Sequence, residues 1–207
     1  MKLVVTLVAP VLSHEHVAAA RAALPGDSMV DWLGEGEACD LYPAAGDTDS
    51  DAVLAALRAA LAGEAVDIVC QPDGAQRRKS LLLADMDSTI ITVECIDEMA
   101  DMLGLKAEVA AITEQAMRGE IDFPAALRAR ARLLRGLPLS ALDTVYADRV
   151  RLSPGAATLV GTMRAHGAAS CLVSGGFTYF TERVAAAAGF DSQRANRLVV
   201  ADASLTG

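Results

Sequence analysis

The sequence has little positive charge, few aromatic residues and no long apolar run. Its 207 residues include 18 lysines and arginines against 27 aspartates and glutamates, which gives a net charge of −9. Such an acidic chain is poorly suited to nucleic acid or to an anionic membrane, so we expect neither as a partner. The apolar stretch 3–12 is too short to span a bilayer, and no small-residue cleavage site follows it. It therefore indicates a core strand.

Cysteine is also scarce, with four residues and no CxxC spacing. Cys39, Cys70, Cys95 and Cys171 lie far apart in the chain, so neither a zinc site nor a disulfide framework is expected. Reduced thiols are typical of a cytoplasmic protein, which is the location that we predict. Apolar residues, by contrast, make up 53% of the chain, enough to bury a substantial core.

Residues 1–72 predict a small domain with the element order βαββαβ. Strands are expected at 3–9, 28–33, 37–42 and 65–71, and helices at 14–24 and 47–63. Ser13 is the predicted N-cap of the first helix. This order is that of the ferredoxin-like fold and resembles, by its layout alone, the ACT-type regulatory domains that bind amino acids. No ligand motif is present, so a structural or dimerising role is an equally good interpretation.

The remaining residues predict an α/β core with a helical insertion. The polar segment 73–79 is typical of a linker, and its basic cluster Arg77-Arg78-Lys79 is interpreted as solvated. The core is expected to comprise 80–94 and 151–207, and four short helices at 95–150 to form the insertion. Core strands are predicted at 81–85, 168–176 and 196–202, and helices at 154–167 and 177–189. The first of these strands is apolar throughout, as expected for a parallel strand covered on both faces.

Two strand ends carry the candidate chemistry. Asp85 and Asp87 end the first core strand, and Ser174-Gly175-Gly176 ends the second. Ligands gather beyond the carboxyl ends of the strands of an open α/β sheet, so these groups are expected to lie close together. A hydroxyl and glycine amides before a helix suit an anion. Two carboxylates this close resist joint ionisation because their charges repel one another. A proton on one of them, together with a Mg²⁺ ion that also binds a phosphate, would reduce this repulsion. Phosphoryl transfer is the predicted reaction.

The motifs D-M-D-S-T and V-S-G-G-F resemble the first and second motifs of the haloacid dehalogenase-like phosphatases. They occupy residues 85–89 and 173–177, and the similarity continues through ECIDEMA (94–100), ITEQAMRGEIDF (112–123), LRARARLL (127–134) and AN (195–196). Across residues 80–207 it points to the phosphoserine-hydrolysing members of that family. The resemblance implies a Rossmann-like parallel sheet under a helical cap, Mg²⁺ as cofactor and hydrolysis of O-phospho-L-serine, the last step of serine biosynthesis.

The resemblance also implies roles for residues at the two strand ends. Asp85 matches the nucleophile that forms an aspartyl-phosphate. Asp87 matches the general acid, which later acts as the base. The side chain of Asp85 and the backbone carbonyl of Asp87 match the Mg²⁺ ligands. Ser174 and Gly175 match the groups that hold the phosphate oxygens.

In the insertion, four residues match substrate contacts of the family. Glu94 matches the acid that binds the ammonium, Arg130 the arginine that binds the carboxylate, and Met117 and Phe123 the apolar residues that exclude water. Each has a plainer interpretation. Glu94 is also an ordinary acid at a helix start, and Arg130 one of several solvated arginines on its helix. Met117 and Phe123, taken by themselves, are better interpreted as core residues of the cap.

The family pattern continues after L-T-G (205–207) with a lysine and a G-D-G-x-N-D turn, which this sequence does not contain. We therefore expect an incomplete core, and a chain that is inactive by itself, whether it is a truncated or a natural short form. The expected partner is the small-molecule substrate, phosphoserine, and the sequence also allows a homodimer.

Two other classes of protein remain as alternatives. One is an amino-acid-sensing regulatory protein in which residues 1–72 bind the ligand and the phosphatase half is vestigial or truncated. The other is a receiver-like signalling module. Receivers carry the phosphate-accepting aspartate on a later strand than their acidic pair, whereas here both acids follow one strand, so this alternative is the weaker.

Overall fold

The computed structural model describes residues 2–44 and 49–207. The chain forms two compact units, Met1–Arg78 and Lys79–Gly207. The finer predicted boundaries of linker, core and cap stay predictions. All four cysteines are free thiols. No helix in the described ranges is long and apolar enough to cross a membrane.

The first unit is an antiparallel four-stranded sheet with two helices, in the predicted order βαββαβ. Its elements are β1 (Leu3–Val8), α1 (His14–Ala23), β2 (Ser28–Gly34), β3 (Ala38–Pro43), α2 (Ser50–Ala60) and β4 (Asp67–Pro72). The strands lie in the order β2-β3-β1-β4. Because side chains alternate between the faces of a strand, Leu3, Val5 and Leu7 share one face. They are buried in a cluster that includes Val53 and Leu57 of α2.

Polar side chains fix the starts of both helices in this unit. The Ser13 hydroxyl accepts a hydrogen bond from the His16 amide at 3.2 Å, and the His16 ring accepts one from the Ser13 amide. This reciprocal pair confirms the predicted N-cap. Helix α2 begins at Ser50, and the Asp49 side chain accepts from the amide of Asp51. Residues 47–48, where the sequence predicted the start of α2, lie outside the described residues.

The segment after β4 corrects the prediction of a solvated basic cluster for Arg77, whereas Arg78 and Lys79 are exposed. It contains a 3₁₀ turn, Ala75–Arg77, and Arg77 Nη2 lies 2.5 Å from Asp40 Oδ2. Thr6 Oγ1 donates to Asp40 Oδ1 at 2.6 Å, and the Tyr42 hydroxyl donates to Oδ2 at 3.3 Å. Only 1% of the Asp40 side chain is exposed, so this carboxylate needs a cation. Arg77 supplies it, which fastens the segment to the sheet.

The core of the second unit is a parallel sheet. Its strands are β5 (Leu81–Ala84), β6 (Ala169–Phe177) and β7 (Ser192–Asn196), in that spatial order. Helices α7 (Ala156–Ala165) and α8 (Thr178–Ala188) contribute Val160 and Phe180 to its buried cluster. The third strand lies earlier than the predicted 196–202. There the chain instead forms a hairpin of β8 (Val200–Ala201) and β9 (Ser204–Leu205), because Asp202 and Ala203 take the left-handed conformation of a tight turn.

One face of the parallel sheet is exposed, contrary to the prediction that β5 is covered on both faces. Leu81 and Leu83 are 57% and 62% exposed, and Val173 of β6 is 39% exposed. On the opposite face, Leu172 of β6 is buried, and Leu82 and Ala84 of β5 are partly buried against the same cluster. In the described part of the chain no element covers Leu81 and Leu83.

Four helices form the predicted insertion between β5 and β6. They are α3 (Cys95–Asp101), α4 (Lys106–Met117), α5 (Phe123–Leu133) and α6 (Leu139–Asp148). The Asp122 side chain caps α5 by accepting from the amide of Ala125 at 2.8 Å, and Pro124 occupies its first turn, where no amide hydrogen is needed. Met99, Val109 and Leu142 belong to the same buried cluster as the core. The insertion and the parallel sheet therefore share one hydrophobic interior.

Candidate active site

All eight residues that the sequence singled out line one cavity of about 400 Å³ in the second unit. They are Asp85, Asp87, Glu94, Met117, Phe123, Arg130, Ser174 and Gly175. The cavity thus lies where the carboxyl ends of β5 and β6 meet helices α4 and α5 of the insertion. The structure brings the residues together, and the roles of the individual side chains stay predictions.

Asp85 stands at the end of β5, where the chain enters a tight turn. Its Oδ1 accepts a hydrogen bond from the Met86 amide at 2.7 Å. Met86 and Ile90, at the two ends of the turn, are buried. Between them Ser88 has φ of +50°, a conformation that is uncommon for residues other than glycine. The buried ends of the turn therefore hold Asp85 and Asp87 at the mouth of the cavity.

The carboxylate of Asp87 connects three elements. Its Oδ1 accepts from the amide of Cys95, at the start of α3, at 2.9 Å, and its Oδ2 accepts from the Ser174 hydroxyl of β6 at 3.1 Å. Burial raises the pKa of Asp87, the hydrogen bonds from Cys95 oppose this, and the charge of Glu94 adds to it. Asp87 therefore holds a proton more readily than an ordinary aspartate.

The C-terminal end of β6, residues 174–176, is built for close approach. Ser174 is buried, and its Oγ accepts from the Gly176 amide at 2.8 Å. A Cβ on Gly176 would lie 3.0 Å from both Asp87 Oδ2 and Ser174 Oγ, so a side chain there would force these groups apart. Only glycine fits this position without a shift of the hydrogen bond between Asp87 and Ser174.

Asn196 of β7 fastens the same end of β6. The pairing of β6 with β7 shifts in register between Val173 and Phe177, which leaves the intervening carbonyls without a regular ladder. Asn196 Nδ2 donates to the carbonyls of Gly175 and Gly176, at 2.8 and 3.3 Å. Sequence reasoning assigned no role to Asn196, and it placed Gly176 only among the glycine amides that suit an anion. The A-N pair at 195–196 was the available signal, because it forms part of the family resemblance.

Glu94 occupies the N-cap position of α3, but its side chain makes no capping hydrogen bond. Instead Glu94 Oε1 accepts from the Ser88 hydroxyl at 2.7 Å. Glu94 therefore stands at a helix start, as its plainer interpretation requires, but it does not cap the helix. Its carboxylate is held beside the turn that carries Asp85 and Asp87.

Arg130 differs from the neighbouring arginines of α5. Arg128 and Arg132 are exposed, whereas Arg130 is half-buried. Its Nη1 donates to Thr113 Oγ1 of α4 at 3.3 Å. Its Nε is buried and, within the described ranges, has no hydrogen-bond partner. The solvated-helix interpretation is therefore wrong for Arg130.

Met117 and Phe123 form part of the rim of the cavity. They are 84% and 54% exposed, so the interpretation of both as core residues of the cap is wrong. The Phe123 ring lies 3.0 Å from the position that a Cβ on Gly175 would occupy. Glycine at 175 is therefore what allows the aromatic ring to approach the C-terminal end of β6.

The donor atoms at the strand ends suit Mg²⁺. Both carboxylate oxygens of Asp87 accept hydrogen bonds, which leaves its backbone carbonyl as the better ligand beside the Asp85 carboxylate. Within residues 2–44 and 49–207, no group of three or more histidine, cysteine, aspartate or glutamate side chains could hold a metal ion. Mg²⁺ commonly binds one or two protein carboxylates and takes its other ligands from phosphate and water, which fits this donor set.

Comparisons with known proteins agree with this geometry. The family model for haloacid dehalogenase-like hydrolases matches residues 82–207. A phosphoserine phosphatase from Polaromonas sp. is 51% identical over 140 residues, which are 67% of this chain and 59% of that protein. One from Archaeoglobus fulgidus is 42% identical over 163 residues, 78% of this chain and 47% of that protein. The chain thus spans about half the length of these curated relatives.

Solved structures with a similar fold match both units of the chain. A haloacid dehalogenase family hydrolase from Salmonella enterica serovar Typhi covers 99% of this chain with a TM-score of 0.82 and 28% identity, over 71% of its own length. A substrate-bound phosphoserine phosphatase covers 62% of this chain and 60% of its own, with a TM-score of 0.58 and 36% identity. With the motifs, the cavity and the family match in agreement, the chain belongs to the haloacid dehalogenase-like hydrolases.

Proposed function

We propose that this chain carries the nucleophile, the proton donor and the substrate-selecting residues of a Mg²⁺-dependent phosphatase that hydrolyses O-phospho-L-serine to L-serine and phosphate. The observation that supports this most is the single cavity, which combines the two strand ends with a carboxylate, Glu94, and a half-buried guanidinium, Arg130. An amino acid bearing a phosphate has complementary groups, since it offers an ammonium, a carboxylate and a phosphate. The names of the relatives support the same substrate.

Asp85 is the proposed nucleophile. One of its carboxylate oxygens attacks phosphorus, and the bond between phosphorus and the serine oxygen breaks, which leaves the phosphoryl group on Asp85. The Met86 amide, which donates to Asp85 Oδ1, restrains rotation of the carboxylate. Water then attacks the aspartyl-phosphate, and phosphate leaves while the Asp85 carboxylate is restored.

Asp87 is the proposed general acid and base. Its proton passes to the serine oxygen as that oxygen departs, and in the second step the carboxylate takes a proton from the attacking water. Burial raises the pKa of Asp87, so the proton needed in the first step is retained more readily. The hydrogen bonds from the Cys95 amide and the Ser174 hydroxyl hold the carboxyl group between the two strand ends.

The C-terminal end of β6 is the proposed phosphate cradle, with the Ser174 hydroxyl and the Gly175 amide as donors. Asn196 supports it by bonding the carbonyls of Gly175 and Gly176. Asp85 and the Asp87 carbonyl would hold Mg²⁺, which supplies positive charge against the phosphate oxygens and relieves the crowding of the two acids.

The insertion selects the substrate in this proposal. Glu94 binds the ammonium and Arg130 the carboxylate, for which its buried, unpartnered Nε provides a donor. Met117 and Phe123, at the rim, are placed to exclude water when substrate fills the cavity.

We also infer that the chain alone does not turn over phosphoserine at an appreciable rate. Among the described residues that line the cavity, Arg130 is the one cation, and it serves the substrate carboxylate. No lysine lies beside Asp85 there to neutralise the phosphate. Loss of one preorganised donor commonly costs on the order of 10²–10³ in rate.

Phosphate release tests the proposal. The assay compares this chain with a fusion that continues past Gly207 with the C-terminal part of the Polaromonas relative. We expect turnover from the fusion alone, with phosphoserine preferred over a phosphosugar and a nucleotide. Preference for either of those would refute the substrate, and equal turnover by both proteins would refute the need for further residues.

Two pairs of variants in the fusion test the roles. Asp85→Asn should abolish turnover while Asp148→Asn, at an exposed position on α6, should leave it unchanged. Arg130→Ala should weaken phosphoserine hydrolysis far more than that of an ester without a carboxylate, whereas Arg128→Ala should affect neither. Substantial activity in Asp85→Asn would contradict the covalent step.

A further inference from the structure

Thr113 lines the cavity from α4 and contacts Arg130 without belonging to the residues that the family resemblance singled out. We propose that Thr113 is a positioning residue: its hydroxyl orients the Arg130 guanidinium and thereby sets the selectivity for phosphate esters that carry a carboxylate. The effect on selectivity rests on the proposed function, whereas the orientation of Arg130 does not.

The hydrogen bonds of the Thr113 hydroxyl are directional. Its Oγ1 donates to the carbonyl of Val109, one turn earlier on α4, at 3.0 Å. Because the single hydroxyl proton is used in this bond, only lone pairs remain for Arg130, whose Nη1 donates to Oγ1 at 3.3 Å. Val109 is fully buried, so the carbonyl that fixes the hydroxyl belongs to the packed part of the helix.

Arg130 has little else to hold it. In the described part of the chain it forms no ion pair, and Thr113 Oγ1 is the one acceptor of its guanidinium hydrogen bonds there. Its buried Nε has no partner within the same residues, which is unusual for a buried polar group and is explained if a bound carboxylate accepts from it. The orientation of the guanidinium before binding therefore depends on Thr113.

Acidic residues offer the guanidinium alternative partners. Burial and the charge of Glu94 raise the pKa of Asp97 on α3, and the charges of Lys106 and Arg130 lower it, so Arg130 and Asp97 attract one another through space. Without the hydroxyl, the guanidinium is free to turn towards Asp97. It would then present fewer donors to a ligand, and binding would have to break the new contact first.

The test compares Thr113→Val, which keeps the shape of the side chain and removes the hydroxyl, with Thr113→Ser, which keeps the hydroxyl. In NMR spectra of this chain, the Nε–Hε signal of Arg130, identified by its loss in Arg130→Lys, should shift in Thr113→Val and stay in place in Thr113→Ser. An unchanged signal in Thr113→Val, or the same shift in both variants, overturns the proposal.

Kinetics of the fusion protein supply the second measurement. Thr113→Val removes a hydrogen bond to a charged group, so it should raise KM for phosphoserine on the order of ten-fold. The kcat for phosphoserine should change by less than about two-fold. The KM for phosphoethanolamine, which lacks the carboxylate, should also change by less than about two-fold. Thr113→Ser should restore the preference. Equal losses on both substrates overturn the effect on selectivity. If the unmutated fusion does not prefer phosphoserine, the proposed function fails, and the NMR comparison still decides whether Thr113 orients Arg130.

Discussion

Replacing Arg77 by alanine should destabilise the first unit strongly, because the substitution leaves the carboxylate of Asp40 buried without its cation. The Asp40 side chain is 1% exposed and that of Arg77 is 25% exposed. After the substitution only the hydroxyls of Thr6 and Tyr42 would remain as donors to the carboxylate. Two neutral donors do not replace a guanidinium at 2.5 Å.

The expected loss follows from the burial of the pair. Breaking a buried ion pair by removing one partner costs roughly 3–5 kcal/mol. Because a quarter of the Arg77 side chain reaches solvent, we expect a loss near the lower end, about 3 kcal/mol. Adding Asp40→Asn removes the stranded charge and keeps a side chain that can accept from Thr6, so the double variant should be more stable than Arg77→Ala alone.

Urea unfolding followed by tryptophan fluorescence measures this effect in the right unit, since Trp32 on β2 is the single tryptophan of the chain. Arg78→Ala, at the adjacent exposed arginine, is the matched control and should change stability by less than about 0.5 kcal/mol. Equal midpoints for Arg77→Ala and Arg78→Ala would refute the reasoning. So would a double variant whose loss equals the sum of the single losses.

Three further predictions concern the second unit. Because the pKa of Asp87 is raised in the native state, the folded protein keeps this proton to higher pH than the unfolded chain does, and its stability falls as the pH rises through that range. Asp87→Asn should therefore raise the thermal unfolding midpoint at neutral pH but not below about pH 4. Equal shifts of the midpoint at both pH values would contradict this. Gly176→Ala should abolish phosphate release by the fusion, and Gly161→Ala, in open space on α7, should not. Leu83→Lys should reduce any concentration-dependent association seen by sedimentation, and unchanged association would exclude the exposed strand as its cause.

The strand-end site was predictable because its chemistry is local in sequence. Asp85 and Asp87 sit two residues apart after an apolar strand, and Ser174 and Gly175 end another. Parallel strands bring their carboxyl ends to one edge of a sheet, so two separate motifs sufficed to predict one cavity. The four proposed substrate contacts, Glu94, Met117, Phe123 and Arg130, came from resemblance, since nothing in their spacing points to a shared cavity.

Other features depend on pairings that a sequence does not display. Asp40 and Arg77 are 37 positions apart, and only the register of the sheet and the 3₁₀ turn bring them together. The role of Asn196 depends on the slip between β6 and β7. Leu81 and Leu83 are apolar, as in a strand that is covered on both faces of its sheet. Hydropathy alone does not show whether residues of this chain cover the second face, and here Leu81 and Leu83 are exposed.

Asp87 links the stability of the second unit to its proposed chemistry. Its carboxyl group joins the turn after β5, the start of α3 and the end of β6 through two hydrogen bonds. Burial opposes its ionisation, so the fold is under most strain in the state that follows proton transfer to the serine oxygen. The same burial drives recovery of a proton from water in the second step. Burial therefore favours the protonated carboxyl group before the proposed first step, and again in the step that restores Asp85 and returns the proton.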